Sequence, residues 1–555
     1  MTQVSLVPRP AATVILLRDT AQGMEVFMVQ RTHRAAFIPG GFVFPGGALD
    51  PSDHDPIFAT QVAGIDDPSA SRALALASGG LAYWVAAIRE CFEECGLLLA
   101  HDDRHPASEG KLVTGTAREF ELLRQQLASG ELSWPQFCHD RQLKLALEQL
   151  AYVSHWITPL GSVRRFDTRF FMAHAPDGQD AAHDNTETIA HTWARPAEML
   201  DRHRSGEATI MFATKTTLEL LASFPSAEAA LTHARGQRGI EPITPRATTT
   251  QAGRKVIAPG HPAWAEVGRL DPEGRGEVSS ELVPGVPTRL SPKVLRIAAP
   301  NPGFMTGAGT NSYLLGDADA LAVIDPGPAI DEHIERLLKA GAGKIRWILT
   351  THTHKDHSPA AARLRAETGA EVLGMPAPQF DNQDSGFRPD RVPVNGEVLR
   401  IAGMSLRVIH TPGHASNHLC YLLEEEKMLF TGDHIMQGST VVINPPDGDM
   451  AVYLESLRAL KSLDVEVLAP GHGFVMEQPH RVVDRLLAHR AKREAKVRDA
   501  LQHADAASLE QLVQRVYDDV PLQRHAMARR SLLAHLMKLK AEGIALQAGE
   551  LWRAA

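Results

Sequence analysis

The segment Thr351-His352-Thr353-His354-Lys355-Asp356-His357 limits what this chain can fold into more than any other. It sets three imidazoles and one carboxylate within six residues, directly after the apolar run 345–349, which reads as a strand. A loop in that place lets alternate side chains turn toward two adjacent ions, and imidazole with carboxylate suits zinc, iron or manganese. Three later segments repeat the plan. His414 in TPGH, Asp433 in TGD and His472 in PGHG each follow an apolar strand and a Gly- or Pro-bearing turn. Such turns place a ligand at a fixed height on a sheet edge. A lone histidine is more often a surface or core residue; the repetition at strand ends favours metal binding. Residues 285–480 are therefore predicted to form a layered α/β domain with its site at one sheet edge.

A second cluster of charge lies in Arg89-Glu90-Cys91-Phe92-Glu93-Glu94-Cys95-Gly96. The spacing predicts a helix over 83–95 ended by Gly96, with Glu90, Glu93 and Glu94 on one face. Carboxylates so placed repel unless a cation sits between them, and hard oxygen ligands favour magnesium or manganese. Arg89 can brace the helix against the preceding loop. Cys91 and Cys95 lack histidine partners and read as small buried hydrophobes. His33, His54, His183 and His191 have no spacing that gives them a role.

With 555 residues the chain needs several cores. Four cysteines are too few for a disulfide framework, the start has no secretory leader pattern, and no uncharged run is long enough to span a membrane. A cytoplasmic protein without membrane contact is expected. Residues 116–150 read as a polar helical stretch. Residues 228–284 accumulate Pro, Gly, Thr and Arg without sustained periodicity and read as a linker, with some packed structure near 261–267. Residues 481–555 read as three helices and a short hairpin. They carry 14 Lys and Arg against 9 Asp and Glu, although the whole chain has a net charge of −9. Arg529, Arg530, Lys538 and Lys540 could meet phosphates, or form only a solvated basic face.

The His–Asp constellation resembles the metallo-β-lactamase superfamily over about residues 285–480. The resemblance implies His352, His354 and His414 on one metal, Asp356, His357 and His472 on a second, and Asp433 bridging. Asp325, in VIDPG, matches the superfamily's structural aspartate. Two ions would activate and orient water and polarise the bond attacked, so hydrolysis of an ester, thioester or phosphodiester is implied. Asp356, His357 and Asp433 would hold and orient the nucleophile. Only 38 residues separate Asp433 from His472, too few for the domain that β-CASP members insert there. APNPGFMTGAGTNSYLLG, PGHGFVM and the helical tail are similar to the lactamase-β-like-2 group. Its members carry a C-terminal winged helix and include a single-strand-specific endoribonuclease.

FPGG at 44–47 with RECFEECGL at 89–97 resembles the Nudix box of diphosphate hydrolases. Glu90, Glu93 and Glu94 match its metal-binding glutamates, and Glu93 is given the catalytic role there. The position of a further box glutamate is Asp53, and 35 residues separate it from Arg89 in place of seven. The branch that includes peroxisomal coenzyme A diphosphatases carries a comparable insertion. Glu187 is an added candidate carboxylate.

These features predict an α/β and α+β multidomain chain: a Nudix α/β/α sandwich at 8–227, a linker at 228–284, a metallo-β-lactamase αββα sandwich at 285–480 and a small winged helix at 481–555. The expected cofactors are two divalent ions in the C-terminal half, zinc first, then iron or manganese, and magnesium or manganese in the Nudix half. The expected substrates are thioesters, esters or diphosphate-linked metabolites. The alternative is a single-strand endoribonuclease joined to a catalytically silent Nudix module, with RNA as partner.

Overall fold

In the strand Arg9–Thr20, Ala12, Val14 and Leu16 are buried on one face while Ile15 and Leu17 are buried on the other. A strand apolar on both sides must be covered on both sides, and this one sits near the middle of a mixed sheet. The computed structural model describes residues 7–34, 38–104, 111–115, 117–184, 187–317 and 319–555. It divides into two units. The first runs to Thr248 and takes in Arg254–Pro259 and Glu273–Gly276; the second holds the remainder.

The main sheet of the first unit runs Thr188–Ala194, Gly23–Arg31, Arg9–Thr20, Phe166–His174, Ala151–Ile157, with Phe42–Val43 and Gly46–Ala48 paired to it off that path. Arg9–Thr20 and Phe166–His174 are parallel, and the other neighbours in the path are antiparallel. The helix Leu81–Cys95 covers one face through Trp84, Val85, Ile88 and Phe92. Helices Phe212–Leu221 and Ala227–Gly236 cover the other. Gly96 ends the first helix in the left-handed region, at φ 72°, as its sequence predicts.

The insertion between Gly47 and Arg89 is folded. It holds two short 3-10 turns and the helix Asp67–Ala73. The Asp67 carboxylate accepts the N–H groups of Gly79 and Leu81, at 3.1 and 2.9 Å, and so caps the start of the helix Leu81–Cys95.

Two six-stranded sheets face one another in the second unit. One runs Thr288–Ser291, Val294–Ala298, Asn311–Gly316, Leu321–Ile324, Ile345–Leu349, Glu371–Leu373. The other runs Val398–Ile401, Met404–His410, Leu419–Leu423, Met428–Gly432, Val467–Pro470, Met476–Glu477. Tyr313, Ile324, Leu406, Tyr421 and Phe430 fill the space between them. Asp331–Gly341 and Ala360–Thr368 pack outside the first sheet, Met450–Ala459 and Pro479–Gln502 outside the second. The tail closes a separate core around Leu512, Leu536 and Trp552, with helices Leu509–Val516 and His525–Ala541 and a three-stranded sheet.

Two segments differ from their sequence reading. Of residues 116–150, Ala117–Ser129 and Trp134–Asp140 are helical, but Leu143–Ala146 is a strand paired with Ala100–Asp102, because Leu143 and Leu145 alternate into the core. Thr116 lies outside the described residues. Residues 228–284 are not structureless. Ala227, Ala230, Leu231 and Ala234 give one turn-spaced apolar face, too short to stand out from sequence alone, and they pack with Leu218 and Leu221. Further on, Trp264–Leu270 is a helix whose Glu266 and Val267 are buried.

Inside the second unit, Glu494 of the long helix Pro479–Gln502 faces His535 at 3.5 Å and Lys538 at 3.0 Å. The nearby His535 ring, against the opposing cost of burial and with help from the Lys538 ammonium, holds the Glu494 carboxyl at about 2 instead of 4.5. A depressed carboxyl stabilises the fold above its unfolded value and loses that contribution as pH falls through its folded value. Replacing Glu494→Gln is expected to flatten the pH dependence of stability between 4.5 and about 2, measured by chemical denaturation at a series of acid pH values.

Candidate active sites

The loop after Ile345–Leu349 turns inward because Asp325 holds it. Asp325 sits at φ 49°, and its carboxylate accepts from Thr351 N at 2.7 Å, Thr351 Oγ1 at 2.8 Å and His357 Nδ1 at 2.9 Å. The Thr351 hydroxyl in turn accepts from His352 Nδ1 at 3.0 Å. These bonds occupy the Nδ1 atoms and leave the Nε2 atoms of His352 and His357 facing the site. His414 Nδ1 donates to the Val442 carbonyl at 2.8 Å and His472 Nδ1 to the Gly309 carbonyl at 3.3 Å, which frees their Nε2 atoms likewise. Fixing one ring nitrogen so that the other can bind is the usual support of a metal-binding histidine.

All seven predicted side chains of this unit converge. His354 Nδ1 lies 2.9 Å from His352 Nε2 and 3.1 Å from His414 Nε2. His472 Nε2 lies 3.3 Å from both Asp356 Oδ2 and Asp433 Oδ1, and His357 Nε2 lies 3.5 Å from the same two oxygens. The other oxygen of Asp433 faces His414 Nε2 at 3.8 Å. Asp433 thus stands between the two histidine sets. Three groupings bring such ligand atoms within 4.8 Å of one another: His352 with His354 and His414, His352 with His357 and Asp433, and Asp356 with His357 and His472. Gly471 is required by closeness, since a Cβ there would lie 2.8 Å from Asp433 Oδ1.

The two sets differ in charge. Burial and the neighbouring rings hold His352 well below its ordinary value, and burial with His414 pushes His354 down to about 3, so both present free lone pairs. Burial opposes charge on His472, but Asp433 and Asp356 lift it to about 9. Among the described residues, His357 Nε2 and Asp433 Oδ1 are buried without a hydrogen-bond partner. Buried polar atoms left so are rare and costly, and this donor set fits divalent metal ions.

Sequence reasoning did not pick out His418, which is fully buried, accepts the Asp433 N–H on Nε2 at 3.2 Å and stacks on His352 with centroids 5.0 Å apart. Its place four residues after His414 was the available signal.

In the first unit Arg89 organises the acidic helix. Its Nε and Nη2 bind the two oxygens of Asp53 at 2.8 and 2.9 Å, and Nη1 donates to Glu90 and Glu93, each at 2.9 Å. The insertion thereby delivers Asp53 as the arginine's fixed partner. Glu94 accepts the Gly46 N–H at 3.0 Å. Burial, set against the attraction of Arg89 and reinforced by Glu93, raises the Glu90 carboxyl to about 7. Burial and Glu90 raise Glu94 well above the usual range. Glu90, Glu94, Glu187 and Arg31 line a cavity of about 480 Å3 with Trp156 and Phe170. Glu93, 34% exposed, lies outside that lining. Among the described residues Glu90, Glu93 and Glu94 do not approach within 4.8 Å as a set. Gly47 admits Glu90 to the loop, since a Cβ there would meet its Oε1 at 2.5 Å. Cys91 and Cys95 are buried beside this face, and His183 and His191 pair with each other, Nδ1 to Nδ1, at 2.8 Å.

Comparison with known proteins decides the family. The model of the metallo-beta-lactamase superfamily matches residues 305–472. The beta-lactamase-like protein 2 homolog of Caenorhabditis elegans is 31% identical over 261 residues, 46% of this chain and 87% of that protein. The chain belongs to the metallo-β-lactamase superfamily. Ahead of this domain the NUDT19 Nudix domain model matches residues 6–215, and behind it the beta-lactamase associated winged helix domain model matches 508–552. It is a hydrolase with the Nudix, metallo-β-lactamase and winged-helix domains in that order. An atrochrysone carboxyl ACP thioesterase of Aspergillus fumigatus is 34% identical over 221 residues, 39% of this chain and 66% of that protein, so the chain spans just under two thirds of that relative. A solved Nudix hydrolase from Alicyclobacillus acidocaldarius is 30% identical, with a TM-score of 0.36, over 43% of this chain and the whole of that one.

The tail cations predicted to face phosphates are partly engaged within the protein. Arg529 pairs with Glu510 at 2.8 Å, and Lys538 with Glu494 and Glu542 at 3.0 and 2.8 Å. Neither the described residues nor the names of these relatives support RNA as a partner. Among the described residues no helix is long and apolar enough to cross a membrane.

A residue of the segment read as a linker supports the metallo-β-lactamase site. Glu266, 2% exposed, binds Arg296 through two bonds of 2.6 and 2.7 Å and accepts the Val475 N–H at 3.1 Å, three residues past His472. Removing one partner of a buried pair strands the other charge and costs about 3–5 kcal/mol. Glu266→Ala is expected to destabilise the second unit by that amount, and Glu266→Leu with Arg296→Met by much less. Equal losses in the two, measured by chemical denaturation, would show that packing rather than charge holds the helix.

Proposed function

We propose that the metallo-β-lactamase domain hydrolyses a thioester with two divalent metal ions, and that the Nudix domain hydrolyses a diphosphate link with magnesium or manganese. The convergence of two histidine sets on the two oxygens of Asp433 carries the first part. Relatives named as thioesterases favour a thioester among the bonds such a centre can cleave. His352, His354 and His414 would hold one ion, Asp356, His357 and His472 the other, and Asp433 both. Zinc is the first choice for this donor set, with iron or manganese next. Bound ions would activate water and polarise the carbonyl. Asp356, which accepts from Thr310 Oγ1 at 3.4 Å, and Asp433 orient the attacking water. The water oxygen joins the acyl carbon, the carbon–sulfur bond breaks, and the proton ends on the departing thiol.

In the Nudix domain Glu90 and Glu94 face the cavity and would bind the ion beside the diphosphate. Glu93, held by Arg89, takes part in proton transfer at the site's edge. The compartment we assign is the cytoplasm, whose reducing conditions suit four buried free cysteines.

His354→Ala should lower acyl-thioester hydrolysis at least about a hundredfold, in line with the loss of a metal-site residue, and leave diphosphate hydrolysis unchanged. Glu90→Gln should do the reverse. Parallel assays of both reactions on each variant check this; full thioester turnover in His354→Ala would remove the ligand assignment.

A further inference from the structure

A second cavity, of about 380 Å3, lies between the metallo-β-lactamase core and the tail, both within the second unit. Two of its three walls belong to segments that touch the metal site. One wall holds Phe304 and Met305, at the tip of a loop whose base supplies the Gly309 carbonyl to His472 and the Thr310 hydroxyl to Asp356. A second holds Met436 and Val442; the Val442 carbonyl holds His414, and the Gln437 N–H meets the His472 carbonyl at 3.4 Å. The third wall is the tail, with Arg490 and Arg493 from the long helix, then Tyr517, Arg524 and Met527.

The chemistry of these walls is divided. Phe304 and Met305 are 63% and 42% exposed although large and apolar. With Met436 and Met527 they give a thioether-rich surface that adapts to varied apolar shapes. Opposite stand guanidinium groups. Arg490, only 3% exposed, spends Nη2 on the Val441 carbonyl at 2.5 Å and lies over the Tyr453 ring at 5.5 Å, and its buried Nε has no hydrogen-bond partner among the described residues. Arg524 stacks over the Phe304 ring at 5.1 Å and makes no ion pair among the described residues. Arg493 is held by Asp519 at 2.8 Å, and Lys496 shares that carboxylate. Among the described residues the lining itself contains no Asp or Glu. A site with excess guanidinium beside an apolar wall fits an oxyanion carried on an organic arm.

We infer that this cavity binds the substrate of the metal site, and that the substrate is an acyl thioester whose thiol arm carries a phosphate. On the thioesterase reading above, the phosphate meets Arg490 and Arg524 and the acyl group the methionine-lined side. The tail is then a specificity element. Arg524 and Phe304, one from the tail and one from the catalytic domain, together form the edge over the arm.

The test uses the full chain with two thioesters of the same acyl group, one on coenzyme A and one on uncharged N-acetylcysteamine. Arg524→Ala should raise KM for the phosphate-bearing thioester about tenfold, the loss of one charge-assisted contact of about 1.4 kcal/mol, with kcat and the KM for the uncharged one unchanged. Met305→Ser should raise both KM values together. An Arg524→Ala enzyme with the same KM ratio as the parent would overturn the phosphate assignment while leaving thioester hydrolysis in place. Should neither thioester turn over, the thioesterase reading fails, and calorimetry with coenzyme A still decides the cavity: Arg524→Ala must remove or weaken one class of binding, and identical isotherms would refute it.

Discussion

The carboxylate of Asp325, at the end of the strand Leu321–Ile324, ties down the histidine loop that leaves the neighbouring strand Ile345–Leu349, and the metal site depends on that tie. Three bonds, to Thr351 N, Thr351 Oγ1 and His357 Nδ1, fix the start of the loop, the tautomer of His357 and, through the Thr351 hydroxyl, that of His352. Without them the loop would have no reason to turn its imidazoles inward, where burial holds His352 and His354 neutral. The aspartate pays with a left-handed backbone, at φ 49°, a conformation that Asp tolerates better than most residues.

Around that tie the domain brings together groups that do not stabilise one another well. Asp433 and Asp356 are like charges near the same two rings, and His357 Nε2 has no hydrogen-bond partner among the described residues. Such an arrangement is unfavourable as a core and sensible as a receptor for cations. The Nudix helix resolves its own charge differently: Arg89 takes Asp53, Glu90 and Glu93 together, and only Glu90 and Glu94 turn to the cavity.

The ligand-bearing turns were legible in the sequence because their chemistry is local. HxHxDH shows its chelating groups within six residues, and each later ligand follows its own strand and turn. The order of domains and the acidic helix were legible for the same reason. What escaped depends on contacts distant in sequence. Glu266 meets Val475 across 209 residues, Arg490 meets Val441 across 49, and His414 meets the Val442 carbonyl across 28. The strand Leu143–Ala146 escaped because four alternating residues carry too little pattern, and the helix Ala227–Gly236 because its apolar face is mostly alanine.

A dinuclear centre is most directly tested by anomalous diffraction from crystals of the metal-loaded full chain, recorded at the absorption edge of the bound metal. Two peaks are expected, one among His352, His354 and His414, the other among Asp356, His357 and His472, with Asp433 touching both. A single peak, or peaks elsewhere than between these side chains, would contradict a shared role for Asp433.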